Sequence, residues 1–489
     1  MNRRDILSGL AALPLLAPTM RLGASPPPRT TIGDQPGADL AVLREAMAIH
    51  PGLHRYLSPA AVERNLADFA RDYTRAETLD QRYLALSRFL TALRCGHSYP
   101  NFFNQSAAVA SALFDRPTRL PFHFVWLGRD MVVLADHSGT GALPRGTRVL
   151  AVNGLPSGAL LDRLMPYTRA DGHNDAKRRS LLGVGGAEDI EYFDVFQGLL
   201  LPPVGGVHRL TIVPPGGTAR RIEVPAIDSA ARRAAMTRVP EGADKARWTY
   251  RVRPDGVAVL EMPGWAMYNS KWDWRTWLAD RLDDANRTRG LVIDLRLNEG
   301  GEDCGDPILA RLIDHDLSGW GFAGRLRFRE VSAALRPHVT TWDKSFYSMG
   351  VGGADLGGGW IARPDDGAAM LIQPDSRRLK VPVAALIGPA NSSATFGFAS
   401  AARLSGKIRL FGEPTGGNRR GINGGAFLFT TLPGSGIEFD LPLVGYFPSQ
   451  PQPDTGLVPD VTVPMTARAI AAGTDPALDA AAAWALASG

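Results

Sequence analysis

The sequence predicts an α/β domain in the second half of a multi-domain chain, preceded by a helical segment and a β-rich module. Three stretches predict it. Val383-Ala384-Ala385-Leu386-Ile387-Gly388 is an apolar run of buried-strand type, and the small and apolar residues from Ala394 to Ala402 suit a buried helix after it. Gly290-Leu291-Val292-Ile293-Asp294-Leu295 is a second strand, continuing through Arg296-Leu297-Asn298-Glu299 to the pair Gly300-Gly301. Ile408-Arg409-Leu410-Phe411-Gly412 is a third, followed by the glycine-rich turn Glu413-Pro414-Thr415-Gly416-Gly417. Apolar strands alternating with helices belong to the α/β class.

The 489 residues are too many for one ordinary domain. An apolar fraction of 45% and a charged fraction of 21% describe a globular chain rather than a disordered or coiled-coil one. The net charge of +5 comes with no dense Lys/Arg stripe interleaved with aromatics, so nucleic acid is not an expected partner. Residues 1–24 read as an export signal of twin-arginine type: Asn2-Arg3-Arg4-Asp5-Ile6-Leu7, an uncharged apolar stretch to Met20, and small residues at Gly23-Ala24. Pro14 and Pro18 break that stretch too early for a membrane span. The expected destination is periplasmic or secreted, with no stable span after cleavage. Residues 25–37, with Pro26-Pro27-Pro28, read as a stiff linker.

Residues 38–118 carry helical periodicity. Its clearest helix opens on a Thr78/Gln81 capping box and repeats Tyr83, Leu86, Phe89, Leu90 and Leu93; Gly96 would end it and place His97 on the loop beyond. Residues 119–230 form the β-rich module, in which Leu143 to Gly154 resembles the strand and turn of a PDZ domain, with a long insertion from Ala170 to Pro203. A PDZ-like module would either hold a peptide terminus or brace its neighbour. Residues 246–470 hold the three strands as one α/β domain, with a glycine-rich insertion at about 315–380 expected to lie over it, and the alanine-rich 471–489 closes the chain as a helix. The acids Glu299, Glu302, Asp303 and Asp306 match no calcium loop and read as solvated surface.

Ser392 and Ser393 stand where a strand turns into a helix. Backbone N–H groups there lack helical partners and can meet negative charge developing on a carbonyl oxygen; a serine at that place can equally be a helix cap. Taken in order, Asp294-Leu295-Arg296-Leu297-Asn298-Glu299-Gly300-Gly301, Ser393-Ala394-Thr395-Phe396 and Gly412-Glu413-Pro414-Thr415-Gly416 resemble the serine peptidase family of the tail-specific (C-terminal-processing) proteases and the tricorn core protease.

That resemblance implies a ClpP/crotonase-like catalytic domain of β-α units. It makes Ser393 the nucleophile and puts the oxyanion hole at Ala394 and the Gly300-Gly301 turn. Tail-specific members place a lysine base where this chain has Asn418, and Arg419 and Arg420 beside it stay protonated. The tricorn-like branch takes its base from a histidine in an N-terminal helical region, which maps to His97 in Leu93-Arg94-Cys95-Gly96-His97. Its orienting acid maps to Asp454, ahead of Gly456-Leu457-Val458-Pro459-Asp460. Cys95 and Cys304 flank the two halves of such a site and are expected to pair if export takes them to an oxidising compartment. No metal or cofactor is implied, the substrate is a polypeptide, and the oligomeric state is open. The alternatives are a catalytically inactive peptide- or lipophile-binding protein on the same fold, and carbohydrate chemistry through the Glu299–Asp306 acids.

Overall fold

The structure is a computed structural model that describes residues 36–237, 246–268, 270–318, 322–364 and 371–489. The expected signal segment and nearly all of the linker lie outside the described residues. Helices α1 (Pro36–Ile49), α2 (Pro59–Arg75), α3 (Leu79–Ala92) and α4 (Ala107–Phe114) bury Leu43, Leu66, Phe69, Leu86 and Leu113 in one core. Ser58, Thr78 and Ser106 cap the last three, and Thr78 and Gln81 form the reciprocal capping box. Gly96 does not end α3. The helix stops at Ala92, and Arg94 takes the left-handed conformation at φ 61°. Gly96 serves a closer approach: the Asp171 carboxylate accepts from its amide at 2.8 Å, and a Cβ there would sit 2.5 Å from that carboxylate.

An antiparallel sheet follows. Its order is β1 (Phe122–Leu127), β2 (Asp130–Asp136), β3 (Arg148–Val152), β5 (Val207–Val213) and β6 (Arg220–Pro225), with β4 (Leu155–Pro156) against β3. Between β4 and β5 run α5 (Ser157–Leu164), α6 (Asp175–Leu181) and α7 (Tyr192–Leu200); α8 (Ser229–Ala234) comes after β6. The long insertion from Ala170 to Pro203 therefore holds two helices.

The second half begins with β7 (Thr249–Val252), β8 (Val257–Glu261), α9 (Trp274–Ala285), β9 (Gly290–Asp294) and α10 (Asp306–Ala310). The glycine-rich insertion contributes β10 (Leu317–Ser318), β11 (Phe322–Leu326), β12 (Val339–Thr340), β13 (Asp355–Gly357), β14 (Trp360–Ala362) and β15 (Leu371–Ile372). Next come β16 (Val383–Ile387), α11 (Ser393–Ser405), β17 (Arg409–Gly412), β18 (Asn423–Thr431) and β19 (Glu438–Pro448). The chain closes with β20 (Val461–Thr462), α12 (Ala467–Ala472) and α13 (Pro476–Ser488).

One sheet has the order β20-β17-β16-β9-β8-β7, parallel except at β7. Its central strands are buried on both faces, with α9 and α11 in one apolar layer and α13 in the other. A second sheet, β12-β18-β19-β11-β14-β13, takes four strands from the insertion. Much of that segment is thus paired wall. The backs of β18 and β19 (Leu428, Phe439, Leu441) share a core with the N-terminal helices and the first sheet, so a single packing unit crosses the domain boundaries drawn from sequence.

Candidate active site

Two neighbouring strands deliver the centre. β9 and β16 pair in parallel from Leu291–Val383 to Asp294–Leu386, so the turns that follow them share one carboxyl edge. Open α/β sheets present ligand sites at that edge. Each turn is pinned by a buried asparagine. Asn298 accepts from the Gly300 amide at 2.8 Å and the Thr395 hydroxyl at 2.7 Å, and donates to the Met262 carbonyl at 2.9 Å. Asn391 accepts from the Gly388 amide at 2.7 Å and donates to the carbonyls of Leu295 and, at 3.0 Å, Asn298.

The outcome is an elbow that holds Ser393 at φ 50° at the start of α11. A serine on such a strained strand-to-helix turn stands clear of its own backbone. Ser392, at the N-cap, makes no capping bond; its hydroxyl donates to the Glu299 carbonyl at 3.1 Å. Gly300, at φ 105°, lies directly against the elbow: a Cβ there would be 2.9 Å from the Ser393 Cβ and 3.0 Å from the Ala394 nitrogen. The first acid and base of the Asp294-Leu295-Arg296 motif are structural. Arg296 donates to Asp294 at 3.0 Å and to Asp475 at 2.9 Å, which ties β9 to the N-cap of α13.

His97 follows α3 on a loop whose Arg94 carbonyl accepts from the Gly172 amide at 2.9 Å. Its ring packs on Phe427 of β18 with centroids 5.8 Å apart, and a Cβ at Gly424 would lie 3.9 Å from Nε2. Nδ1 is buried without a hydrogen-bond partner, and among the described residues no hydrogen bond joins the ring to Ser393. Burial, then the charges of Arg169 and Lys177, outweigh Glu299 and push the imidazole down to about 3. The Ser98 hydroxyl hydrogen-bonds His50 Nε2 at 2.7 Å.

Two cations that no motif marks complete the centre. Lys177 of α6 is 1% exposed. Its ammonium donates to the Ala390 carbonyl at 2.7 Å and the Ser392 hydroxyl at 3.3 Å, and pairs with Glu299 at 3.0 Å. Arg169 donates to the Gly96 carbonyl and, at 3.0 Å, to Glu299, with its guanidinium over the Tyr99 ring. Burial alone would raise the Glu299 carboxyl, but Lys177 and Arg169 bring it down to about 2. Glu299, its side chain 41% exposed, is therefore an ion-paired acid at the edge of the centre rather than a lone surface carboxylate. Only the fold could reveal this, because its partners come from the segment that carries no sequence signal.

Two further expectations are corrected. Asp454 does not orient His97: its carboxylate accepts from His173 Nδ1 at 2.6 Å, from the His173 amide at 3.1 Å and from Asn418 at 2.7 Å. The loop before Gly456 lies over the 171–174 segment, so His173 meets the acid first. Cys95 and Cys304 do not pair. Both are free and buried in different packing environments, Cys95 accepting from the Asn423 amide at 3.2 Å and Cys304 facing the Trp265 carbonyl at 4.0 Å. Burial raises both thiols, which leaves them unreactive. Among the described residues no three His, Cys, Asp or Glu gather as metal ligands would, and no helix is long and apolar enough to cross a membrane.

A strained serine elbow at the carboxyl edge of a parallel sheet is the arrangement of a hydrolase that works through a serine, here a serine-type peptidase. Residues 256–463 match peptidase family S41. The fold is similar to that of mature CPAF complexed with lactacystin, at 16% identity and TM-score 0.59, over 92% of this chain and 97% of that one. A second structure of mature CPAF gives 16% identity and TM-score 0.57 over 88% and 93%. No curated protein matches the chain by sequence.

Proposed function

We propose that the chain is an exported serine endopeptidase that hydrolyses peptide bonds of proteins or peptides through a Ser–His acyl-enzyme mechanism. The observation that carries this reading is the elbow itself, with Ser393 at φ 50° and Gly300 packed against Ser393 and Ala394. Ser393 Oγ attacks the peptide carbonyl carbon and His97 accepts its proton. The amide of Ala394 and the Gly300-Gly301 turn meet the oxyanion. Because the Gly300 amide already donates to Asn298, Gly301 is the donor from that turn. Expulsion of the amine takes the proton back from His97, and water then releases the acyl group by the same steps in reverse order. Proton transfer requires His97 and Ser393 to close to hydrogen-bond distance, a tightening that catalytic pairs undergo as substrate binds.

Ser393→Ala is expected to abolish hydrolysis of denatured protein substrates and covalent labelling by a fluorophosphonate probe. Its thermal unfolding should match the parent, since among the described residues the hydroxyl makes no hydrogen bond. Undiminished turnover by that variant would overturn the assignment. The buried imidazole sets a second expectation. A histidine held at about 3 stays neutral as pH falls, so kcat/KM should remain level from pH 8 to pH 5. An ordinary imidazole would lose about thirtyfold of its basic form by pH 5. A pH–rate profile checks this directly.

The twin-arginine segment supports export, and the antiparallel sheet with α5 supports a PDZ-like role for residues 119–230 in bracing the centre or holding peptide. One observation favours the alternative of a catalytically inactive peptide- or lipophile-binding protein: His97 Nδ1 has no partner to orient the ring. The fluorophosphonate probe separates the two, because only an activated serine reacts.

A further inference from the structure

We propose that Lys177 and Arg169 are positioning residues of the catalytic centre, forming with Glu299 a charged clamp that sets the base loop, the oxyanion turn and the nucleophile elbow against one another. The inference rests on the peptidase reading and adds to it two residues from outside the family-matched region.

The connections run without a break. Arg169 holds the carbonyl of Gly96, the residue before His97, and at 3.0 Å the carboxylate of Glu299, the residue before Gly300. Glu299 takes the Lys177 ammonium at 3.0 Å, while its carbonyl accepts from Ser392 at 3.1 Å. Lys177 in turn donates to Ala390 and Ser392, the residues leading into Ser393. Three chain segments that must agree within a fraction of an ångström are thus cross-linked by one carboxylate and two cations. A misplacement of about 1 Å between reacting groups can cost about a hundredfold in rate.

Burying an ammonium is expensive, so α6 would not hold a lysine at 1% exposure for packing alone. Its position also has an electrostatic effect. The charged groups acting on His97 are Arg169, Lys177 and Glu299, two cations against one anion, so the ring beside them disfavours its own protonation. Removing one cation should let the imidazole protonate more readily. A purely structural role would slow the reaction equally at every pH.

The test measures the rate of fluorophosphonate labelling between pH 3 and 8 for the full chain and two variants. Lys177→Met should label about a hundredfold more slowly at pH 7.5, and its acid limb should rise by roughly one unit or more. Arg169→Lys keeps the charge but cannot span two acceptors in the same way, so it should slow labelling without moving the limb. If Lys177→Met does not fold, Arg169→Gln takes its place with the same expectation. Parent protein that takes up no probe overturns the peptidase reading and the clamp with it. Labelled parent protein, with variants that match it in rate and profile, overturns the clamp alone.

Discussion

Gly300→Ala is expected to lower kcat by at least about a hundredfold, the scale of losing an oxyanion donor, while the chain stays folded. The methyl group would meet backbone: 2.9 Å from the Ser392 oxygen, 2.9 Å from the Ser393 Cβ and 3.0 Å from the Ala394 nitrogen. None of these atoms can turn aside as the tip of a flexible side chain would. The elbow and the turn must separate, and the oxyanion donors lose their common focus. A φ of 105° is also strained for alanine, at a cost of about 1–3 kcal/mol. Labelling rate and thermal unfolding measured together decide the matter. A variant that reacts within threefold of the parent would mean that this contact does not shape the site.

The largest effect on stability is expected away from the chemistry, at Arg232→Met. Arg232 of α8 and Asp194 of α7 form a two-pronged pair at 2.8 and 2.9 Å, both side chains 0% exposed, and Arg232 also donates to the Leu120 carbonyl at 2.8 Å. Removing the guanidinium leaves Asp194 buried, with Arg119 at 3.8 Å as its one remaining ion-pair partner among the described residues. Breaking a buried pair in this way costs about 3–5 kcal/mol, and the denaturant midpoint should fall accordingly. The double change Arg232→Met with Asp194→Leu should recover most of the loss, because an apolar pair of similar size needs no charge compensation. Failure of the double variant to recover would point to the Leu120 contact instead.

Much of the centre could be read before the fold was seen. The capping box at Thr78 depends on residues within one turn of chain, and the elbow at Ser393 and the turn at Gly300-Gly301 are marked by ordered motifs even though long-range bonds from Asn298 and Asn391 hold them in place. What could not be read depends on partners chosen by tertiary packing. Lys177 and Arg169 sit in a segment without periodicity or motif, and Glu299 looked like one member of a surface acid cluster. The family resemblance points to Asp454 as the acid ahead of Gly456, yet the 171–174 segment places His173 against it first. The cysteines were linked through their neighbours in sequence, whereas each thiol points into separate packing. The insertion at 315–380 lacks strong pattern because its strands are two to five residues long, and they gain order by pairing with β18 and β19 or with each other.

The core shared by the N-terminal helices, the first sheet and the backs of β18 and β19 has a practical consequence for anyone who would excise the catalytic portion. A recombinant fragment limited to residues 256–463 would carry Ser393 without the His97 loop and leave the apolar backs of two strands open to water. Such a piece should aggregate, and refolding it should yield nothing reactive. Adding back residues 36–237 as a separate polypeptide offers a route to complementation, with labelling of Ser393 appearing only when the two halves associate.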